Sequence, residues 1–345
     1  MEDGRYVDGS VWFYAPNKGA PIFFAIAFFA SGCCHLWQTI RYKCWRLTGL
    51  YVFCSFLFVA GFIVRELGAF DYTDLIKYIV SICLVYAAPP LYELGNYYVL
   101  GRILYFVPYY SPIHPGRVVT TFAAISMVVE ALNGNGAAYT ANQSLSKSQR
   151  DTGKALLKAA LLIQVVVVLL FVTLAAYFHL KCRRRGIRST KVDSPLTTLY
   201  ISSAIITART VYRVVEYFDL ASVDFWAPDF DPASMSPIAR YEWFFYVFEA
   251  SLMLANSVLL NVRHPRRWLP QSTKVYLARE DGVSEIVGPG YKQDRNFFAT
   301  LVDPFDVYGM VRGRDKETRF WDEEGTAAER GQGKSASSNG GGVGH

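Results

Sequence analysis

Long apolar runs alternate with short polar stretches along the first 262 residues of this chain. A membrane hydrocarbon core of about 30 Å needs roughly 20 apolar residues in one helix. Seven segments approach or exceed that length: residues 21–40, 48–65, 75–101, 118–139, 155–180, 195–218 and 242–262. The fifth is the plainest, whereas Pro89-Pro90 interrupts the third and predicts a kink there. The pattern predicts an all-α polytopic membrane protein, a bundle of seven transmembrane helices.

Basic residues between these segments predict the orientation of the bundle. The loop after the first segment has three basic residues from Arg41 to Arg46, the loop after the fifth reads KCRRRGIRSTK, and NVRHPRRW follows the seventh. The positive-inside rule places all three in the cytosol. The loop between the sixth and seventh segments is acidic, while one outer loop disagrees mildly because it carries Lys147, Arg150 and Lys154. The N-terminus is therefore expected outside and the C-terminus in the cytosol.

The same pattern divides the chain into three parts. We expect a short extracellular N-terminus over residues 1–20, a seven-helix membrane domain over 21–262 and a cytosolic tail over 263–345. The tail ends in GQGKSASSNGGGVGH, a composition that cannot bury a core, so it is expected to be largely disordered toward its end. Asn142-Gln143-Ser144 is a glycosylation sequon in a predicted outer loop, which makes Asn142 a candidate acceptor.

Composition narrows the function classes. Hydrophobic residues make up 52% of the chain and charged residues 19%, which is unusual for a soluble domain. The net charge of +6 lies largely in loops beside the spans, so it does not indicate nucleic acid. The six cysteines lack CxxC spacing and the histidines are scattered, so we expect no metal and no cofactor. No HxxxH, HExxH or GxSxG spacing indicates catalytic residues, so an enzyme is not expected.

Charged side chains inside the predicted spans are the strongest functional signal. Each costs about 2.5–3.5 kcal/mol near mid-membrane, so the helices must turn these side chains toward one another or toward a water-filled cavity. The groups in or beside the spans are Glu66, Glu93, Glu130, Glu216 and Glu249 against Arg65, Arg209 and Arg213. The predicted ligand or cavity residues are Glu93, Asn96, Glu130, Asn133, Arg209, Arg213, Glu216, Glu249 and Asn256. The alternative is that these residues form ion pairs that only set helix packing.

The stretch SMVVEALNGNGAAYTAN places two Asn-Gly pairs after Glu130 in the fourth span. Asn135-Gly136 is typical of a tight turn, which would end the helix near Leu132. We favour instead a Gly-containing helix whose small residues allow close helix approach or an unwound site. In that interpretation Glu130 faces a cavity shared with the other charged helices.

Four segments resemble the fungal lipid-translocating exporter family, the RTA-like proteins. They begin at YAPNKGAPIFFAIAFF, ELGNYYVLGRILYF, ARTVYRVVEYF and EWFFYVFEASLMLANS, and the resemblance runs from about Tyr14 to Pro270. It implies a seven-span membrane protein linked to resistance to toxic amphiphiles, and for some relatives to sphingoid long-chain bases and aminosterols. The family motif falls on Glu93, Gly95, Arg102, Pro115, Glu130, Gly134, Gly136, Arg209, Arg213, Glu216, Glu242, Glu249, Asn256, His264 and Pro265.

These observations favour a transporter or translocase for amphiphilic lipids or toxic amphiphiles, with Glu130 or Glu249 as the counter-charge of a cationic amine. The alternative is a seven-span lipid or stress sensor that acts through its cytosolic tail. The expected partners are membrane lipids or amphiphilic small molecules, and cytosolic proteins that bind the tail. The plasma membrane is the favoured location, with the vacuolar and endoplasmic reticulum membranes as alternatives.

Overall fold

Seven long helices account for most of the chain that the computed structural model describes, namely residues 7, 9–12, 14–141, 144–222, 235–279, 281–288, 303, 305 and 307–312. The first six are α1 (Ala20–Arg41), α2 (Trp45–Phe70), α3 (Leu75–Phe106), α4 (Pro115–Ala141), α5 (Lys147–Arg184) and α6 (Thr190–Ser222). A short helix α7 (Pro237–Arg240) precedes α8, residues 243–262, in which the π-helical turn Tyr246–Ser251 joins Trp243–Phe245 to Leu252–Val262. The candidate glycosylation site Asn142 lies outside the described residues.

Consecutive helices pack side by side and the ring closes where α1 meets α8. The third helix also contacts α6, so it crosses the interior of the ring. Local capping fixes two starts: the Asp74 carboxylate accepts from the backbone of Ile76 and Lys77 ahead of α3, and Ser146 with Gln149 forms a capping box ahead of α5. We call the end of the bundle where α8 ends at Val262 the tail end.

Six of the helices in the described residues are long and apolar enough to cross a membrane: α1 to α5 and the segment Trp243–Arg267 that contains α8. The remaining predicted span, the sixth (residues 195–218), corresponds to α6. That helix has 33 residues but carries Arg209, Arg213, Glu216 and Asp219 in its second half. Those charges lower its mean hydropathy. The polytopic, mostly helical architecture is therefore confirmed, while the number of spans and their orientation remain predictions.

The helices are continuous at the proline pair, where the sequence predicts a kink, and at the two Asn-Gly pairs, where a tight turn was the alternative to a helix. The third helix runs through Pro89 and Pro90, and α4 runs through both Asn-Gly pairs to Ala141. The tight-turn alternative for Asn135-Gly136 is therefore wrong. A Cβ atom on Gly136 would lie 2.9 Å from the Gly153 carbonyl oxygen and 2.7 Å from Leu157 Cγ, both on α5. Small residues thus allow the close approach of α4 and α5, as expected.

Two hydrophobic clusters fill the bundle. One joins α3, α4, α5 and α6, with Tyr97, Phe122 and Phe171 in mutual ring contact. The other joins α1, α2, α3, α6 and α8, where Phe28 and Phe58 stack with ring centroids 4.3 Å apart. Both are rich in aromatic rings, whose planar faces pack closely without polar atoms.

The first part of the predicted tail belongs to the folded body. Strands β1 (Val275–Leu277) and β2 (Glu285–Val287) pair antiparallel, an element that the sequence did not predict. Leu269 and Leu277 are buried in the cluster between α3, α5 and α6, and Arg102 of α3 donates to the carbonyls of Pro270 and Gln271 at 2.6 and 2.8 Å. These contacts make residues 269–287 part of the core, where they cap the tail end. The described residues beyond it include one short helix, α9 (Val307–Val311).

Candidate functional site

Charged and amide side chains from five helices lie at similar depth in the bundle. Glu93, Glu130, Gln164, Arg209 and Glu249 each lie within four residues of the midpoint of their helix. Because midpoints of membrane-length helices lie farthest from either water phase, these groups depend on one another for polar partners. This layer contains most of the predicted site residues.

Arg209 of α6 and Glu249 of α8 form a buried ion pair. The Arg209 Nε donates to the two carboxylate oxygens of Glu249 at 2.9 and 2.8 Å, and the side chains are 8% and 0% exposed. Glu249 lies in the π-helical turn, a distortion that often occurs at functional positions. The carboxylate is thus neutralised in place, and the pair joins α6 to α8.

Two further ion pairs use the remaining arginines of the set. Arg213 pairs with Glu216 one turn along α6 and also donates to the Tyr86 hydroxyl at 2.7 Å. Nearer the end of the bundle opposite the tail end, Arg65 pairs with Glu242 at 2.7 Å, with side chains 3% and 6% exposed. Asn17 donates its backbone N–H to the same carboxylate at 2.7 Å, so this pair also holds the segment before α1.

Glu93 of α3 is buried among neutral donors. Its Oε1 accepts from Gln164 Nε2 of α5 at 2.7 Å, and its Oε2 accepts from the Tyr97 hydroxyl at 3.3 Å. That hydroxyl also lies 3.3 Å from the Ser126 hydroxyl of α4. Gln164 and Tyr97 therefore hold the carboxylate through neutral hydrogen bonds, while Arg209 acts on it only at longer range.

Glu130 of α4 has an exposed side chain and lies beside Asn133 of the same helix. It lies within electrostatic range of Glu93 and of Arg209. Neither Glu93 nor Glu130 forms an ion pair with a basic side chain among the described residues. One carboxyl group lies at the bundle surface and the other in its interior, within electrostatic range of each other, and we call the two the Glu93–Glu130 site.

An internal cavity adjoins this site. Its volume is about 10 Å³, room for about one water molecule, and its lining includes Glu93, Asn96, Phe171 and Ile206. Asn96 donates to the Ser202 hydroxyl of α6 at 2.9 Å, which fixes the polar end of the wall. Of the predicted residues, Asn256 stands apart: it is fully buried and neither of its amide atoms has a partner among the described residues.

Sequence reasoning missed Gln164 and Tyr97 as site residues and did not include Glu242 in the cavity set. Gln164 had a signal, since it is the one polar residue in LLIQVVVVLL. Tyr97 had none, because an aromatic residue in an apolar helix is ordinarily core. No cluster of metal-binding side chains occurs among the described residues.

Comparisons with known proteins agree with this architecture. The chain is 42% identical to the lipid-translocating exporter-like protein RTA1 of Leptosphaeria maculans over 319 residues, 90% of this chain and 61% of that protein. It is 28% identical to the protein of that name from Ajellomyces capsulatus (75% of this chain, 81% of that protein), and 24% identical to the probable lipid transporter atnI of Emericella nidulans (76% and 69%). These relatives are named as exporters or transporters rather than as enzymes. The chain spans about three-fifths of the length of the first of them.

No solved structure matches the chain. The family model described as RTA1 like protein matches residues 51–272, which include most of α2, all of α3 to α8 and the start of the tail. The match covers more than half of the chain, and the Leptosphaeria relative extends it over nearly all of the rest. The chain therefore belongs to the RTA1-like family of membrane proteins.

Proposed function

We propose that this protein transports amphiphilic lipids and binds the cationic group of its substrate at the Glu93–Glu130 site. One observation carries the proposal: each arginine of the intramembrane set, Arg65, Arg209 and Arg213, has an ion-pair partner. Among the described residues Glu93 and Glu130 have none, and the arginine within electrostatic range of both, Arg209, is already paired with Glu249. Two carboxylates close together in a low-dielectric region favour the binding of a cation. The names of the relatives, lipid-translocating exporter-like protein and probable lipid transporter, support the same class.

The surroundings suit a cation on a hydrophobic body. Next to Glu93 the cavity wall offers aromatic and aliphatic surface from Phe171, Val168 and Ile206. An ammonium group would replace Gln164 or Tyr97 as a donor to Glu93, while Glu130 meets it first at the surface. Glu249 is occupied by Arg209, so it is not the counter-charge in this proposal. The substrate class is a long-chain amine, such as a sphingoid base or an aminosterol-like compound, and its movement would contribute to lipid homeostasis and to resistance against toxic amphiphiles.

We also propose that the protein has seven spans, and that α6 crosses the membrane although its hydropathy is too low for it to be among the six candidate spans. Its charges face partners inside the bundle, Arg209 toward Glu249 and Arg213 toward Tyr86, so they need not meet lipid. With an odd number of spans the two termini lie on opposite sides. The exposed basic residues Arg184, Arg185 and Arg188 at the tail end favour a cytosolic tail, in the plasma membrane or in a vacuolar or endoplasmic reticulum membrane.

Transport is tested with purified protein in proteoliposomes and a fluorescent long-chain base. The expected result is protein-dependent movement of the base between leaflets, lost in Glu93→Gln and in Glu130→Gln. Glu66→Gln is the matched control, because Glu66 of α2 is also a carboxylate at a helix surface and bonds the Gly19 backbone outside the site. Unchanged movement in both site variants would contradict the site, and equal loss in Glu66→Gln would indicate a nonspecific charge effect.

The same assay separates the alternative function, a lipid or stress sensor with protein partners for its tail. Saturable binding of the base that depends on Glu93, without movement between leaflets, would favour the sensor. The hairpin of residues 275–287 could transmit such a signal to the tail. It packs against α3, α5 and α6, so a rearrangement of these helices would displace it.

A further inference from the structure

The two helices that carry the Glu93–Glu130 site, α3 and α4, pack closely in the half of the bundle nearer the tail end. A Cβ atom on Gly101 of α3 would lie 3.2 Å from Val119 Cγ2 of α4. The Tyr97 hydroxyl of α3 lies 3.3 Å from the Ser126 hydroxyl of α4. These contacts identify the face that each of the two helices turns toward the other.

Toward the opposite end of the bundle the same two faces are exposed. Cys83 lies 18 residues before Gly101 on α3, which is about five full turns and therefore the same face. On α4, Glu130 and Ala137 lie about three and five turns after Val119, again on one face. All three side chains are exposed, so no other described residues cover them. The two helices thus separate beyond their contacts and leave a cleft, which we call the α3–α4 cleft.

The α3–α4 cleft runs from the Glu93–Glu130 site to the end of the bundle opposite the tail end. Glu130 lies at its closed end, and α4 ends 11 residues later at Ala141, which is roughly 16 Å at 1.5 Å per residue. That length is about half of a hydrocarbon core of about 30 Å, so the cleft spans one leaflet. Cys83 and Ala137 lie at similar height on its two sides, since each is about five turns beyond the closest contact between the helices.

The two walls of the α3–α4 cleft differ in chemistry. The exposed residues of the α3 wall are apolar or weakly polar: Ile76, Val80, Cys83 and Ala87. The α4 wall is polar and small, because Asn133 follows Glu130, and Gly134 and Ala137 leave room beside it. An ionic group in the membrane stays close to polar side chains, whereas a hydrocarbon chain packs on aliphatic surface. The two walls therefore suit a molecule with an ionic head and a hydrocarbon chain.

We propose that the α3–α4 cleft is the path by which a long-chain amine leaves the leaflet opposite the tail end and reaches Glu130. The ammonium group follows the α4 wall past the Asn133 amide, and the hydrocarbon chain packs on the α3 wall. Charge selects the occupant, because the carboxyl groups of Glu130 and Glu93 at the closed end attract an ammonium group and repel an anionic one. The path rests on the proposed function, to which it adds the route of entry and the leaflet.

Protection of Cys83 from N-ethylmaleimide tests the occupant in the unmodified protein in liposomes. Among the described residues Cys33 and Cys34 of α1 are also exposed, so they are internal controls in the same mass spectrum. Octadecylamine at about ten times its Kd should slow the modification of Cys83 about tenfold and leave the α1 pair unchanged. Octadecanol, which has the chain without the charge, should protect none of them. Absence of amine protection at Cys83, or equal protection by the alcohol, would overturn the proposal.

Filling the cleft tests the path. Ala87→Trp and Ala137→Trp each place a large side chain between the walls and should slow the movement of a fluorescent long-chain base by about tenfold or more. Ala204→Trp is the matched control and should leave the rate unchanged, since Ala204 is exposed on α6 and two residues from Ser202, which faces α3. Unchanged movement in both cleft variants would overturn the path. If the unsubstituted protein moves no base, the proposed transport fails, while Cys83 protection still decides whether the amine occupies the cleft.

Discussion

Glu249→Gln is expected to be among the most destabilising single substitutions in this protein. At 2.8 Å and an effective dielectric constant near 20, the attraction between Arg209 and Glu249 is about 6 kcal/mol before desolvation. Removing one partner leaves the other charge buried, which typically costs about 3–5 kcal/mol. Lys77 and Asp71 are also 2.8 Å apart, but their side chains are 33% and 50% exposed, so water screens the pair and Asp71→Asn should destabilise the protein far less than Glu249→Gln.

The comparison is made by denaturant titration in mixed micelles, with the apparent unfolding free energy of each variant as the readout. Arg209→Gln with Glu249→Gln should be less destabilised than the sum of the two single changes, by about 1–3 kcal/mol for a coupled buried pair. A cost below about 1 kcal/mol for Glu249→Gln alone would refute the reasoning, because the pair would then behave like an exposed one.

Three further predictions concern other parts of the molecule. Gly136→Ala should lower the unfolding free energy by about 1–3 kcal/mol, because the added Cβ would clash with α5. Gly134→Ala should raise it by up to about 1 kcal/mol, because nothing lies within 4 Å of the added Cβ and Ala favours a helix. The same denaturant titration measures both variants. Leu277→Ala should expose the tail to limited proteolysis, with a loss of about 2–5 kcal/mol, while Val287→Ala, at a position 74% exposed, should not. Hydrogen bonds from the Ser284 hydroxyl and from the backbone of Val283 and Ser284 lower the pKa of Asp281 to about 2. The turn is therefore stabilised above the unfolded pKa near 4 and loses that stabilisation as pH falls toward 2. The protection of the Ser284 amide from exchange should follow this pH dependence, and the dependence should disappear in Asp281→Asn.

The helices were largely predictable from local pattern. Six of the seven predicted spans correspond to helices that are long and apolar enough to cross a membrane, and the structure extends most of them by several residues at one or both ends. Those extensions are amphipathic or polar helical turns, such as Lys147–Lys154 of α5, and a prediction based on apolar length does not include them. The hairpin after α8 could not be predicted, because three-residue strands are stabilised by burial of Leu269 and Leu277 rather than by their own propensity.

The sequence predicted most of the residues of the candidate site, but not which of them contact each other. Insertion cost alone selects Glu93, Glu130 and Glu249 as residues that need a polar environment. Which of them meets an arginine depends on the rotation and depth of α3, α4, α6 and α8, and sequence spacing within one helix says nothing of either. The hydrogen bond between Gln164 and Glu93 could not be predicted for the same reason, because the two residues lie 71 positions apart on different helices.

By itself, the sequence determined that this chain is a helical membrane protein of the RTA1-like family with ionisable groups inside its bundle, because apolar length and the cost of buried charge are properties of single segments. Only the tertiary structure decided that Arg209 forms its ion pair with Glu249 and not with Glu93 or Glu130. It also decided that, among the described residues, both amide atoms of Asn256 are buried without a partner, and that residues 269–287 close the tail end. Charge compensation and hydrogen-bond satisfaction are relations between helices, and they exist only once the helices are packed.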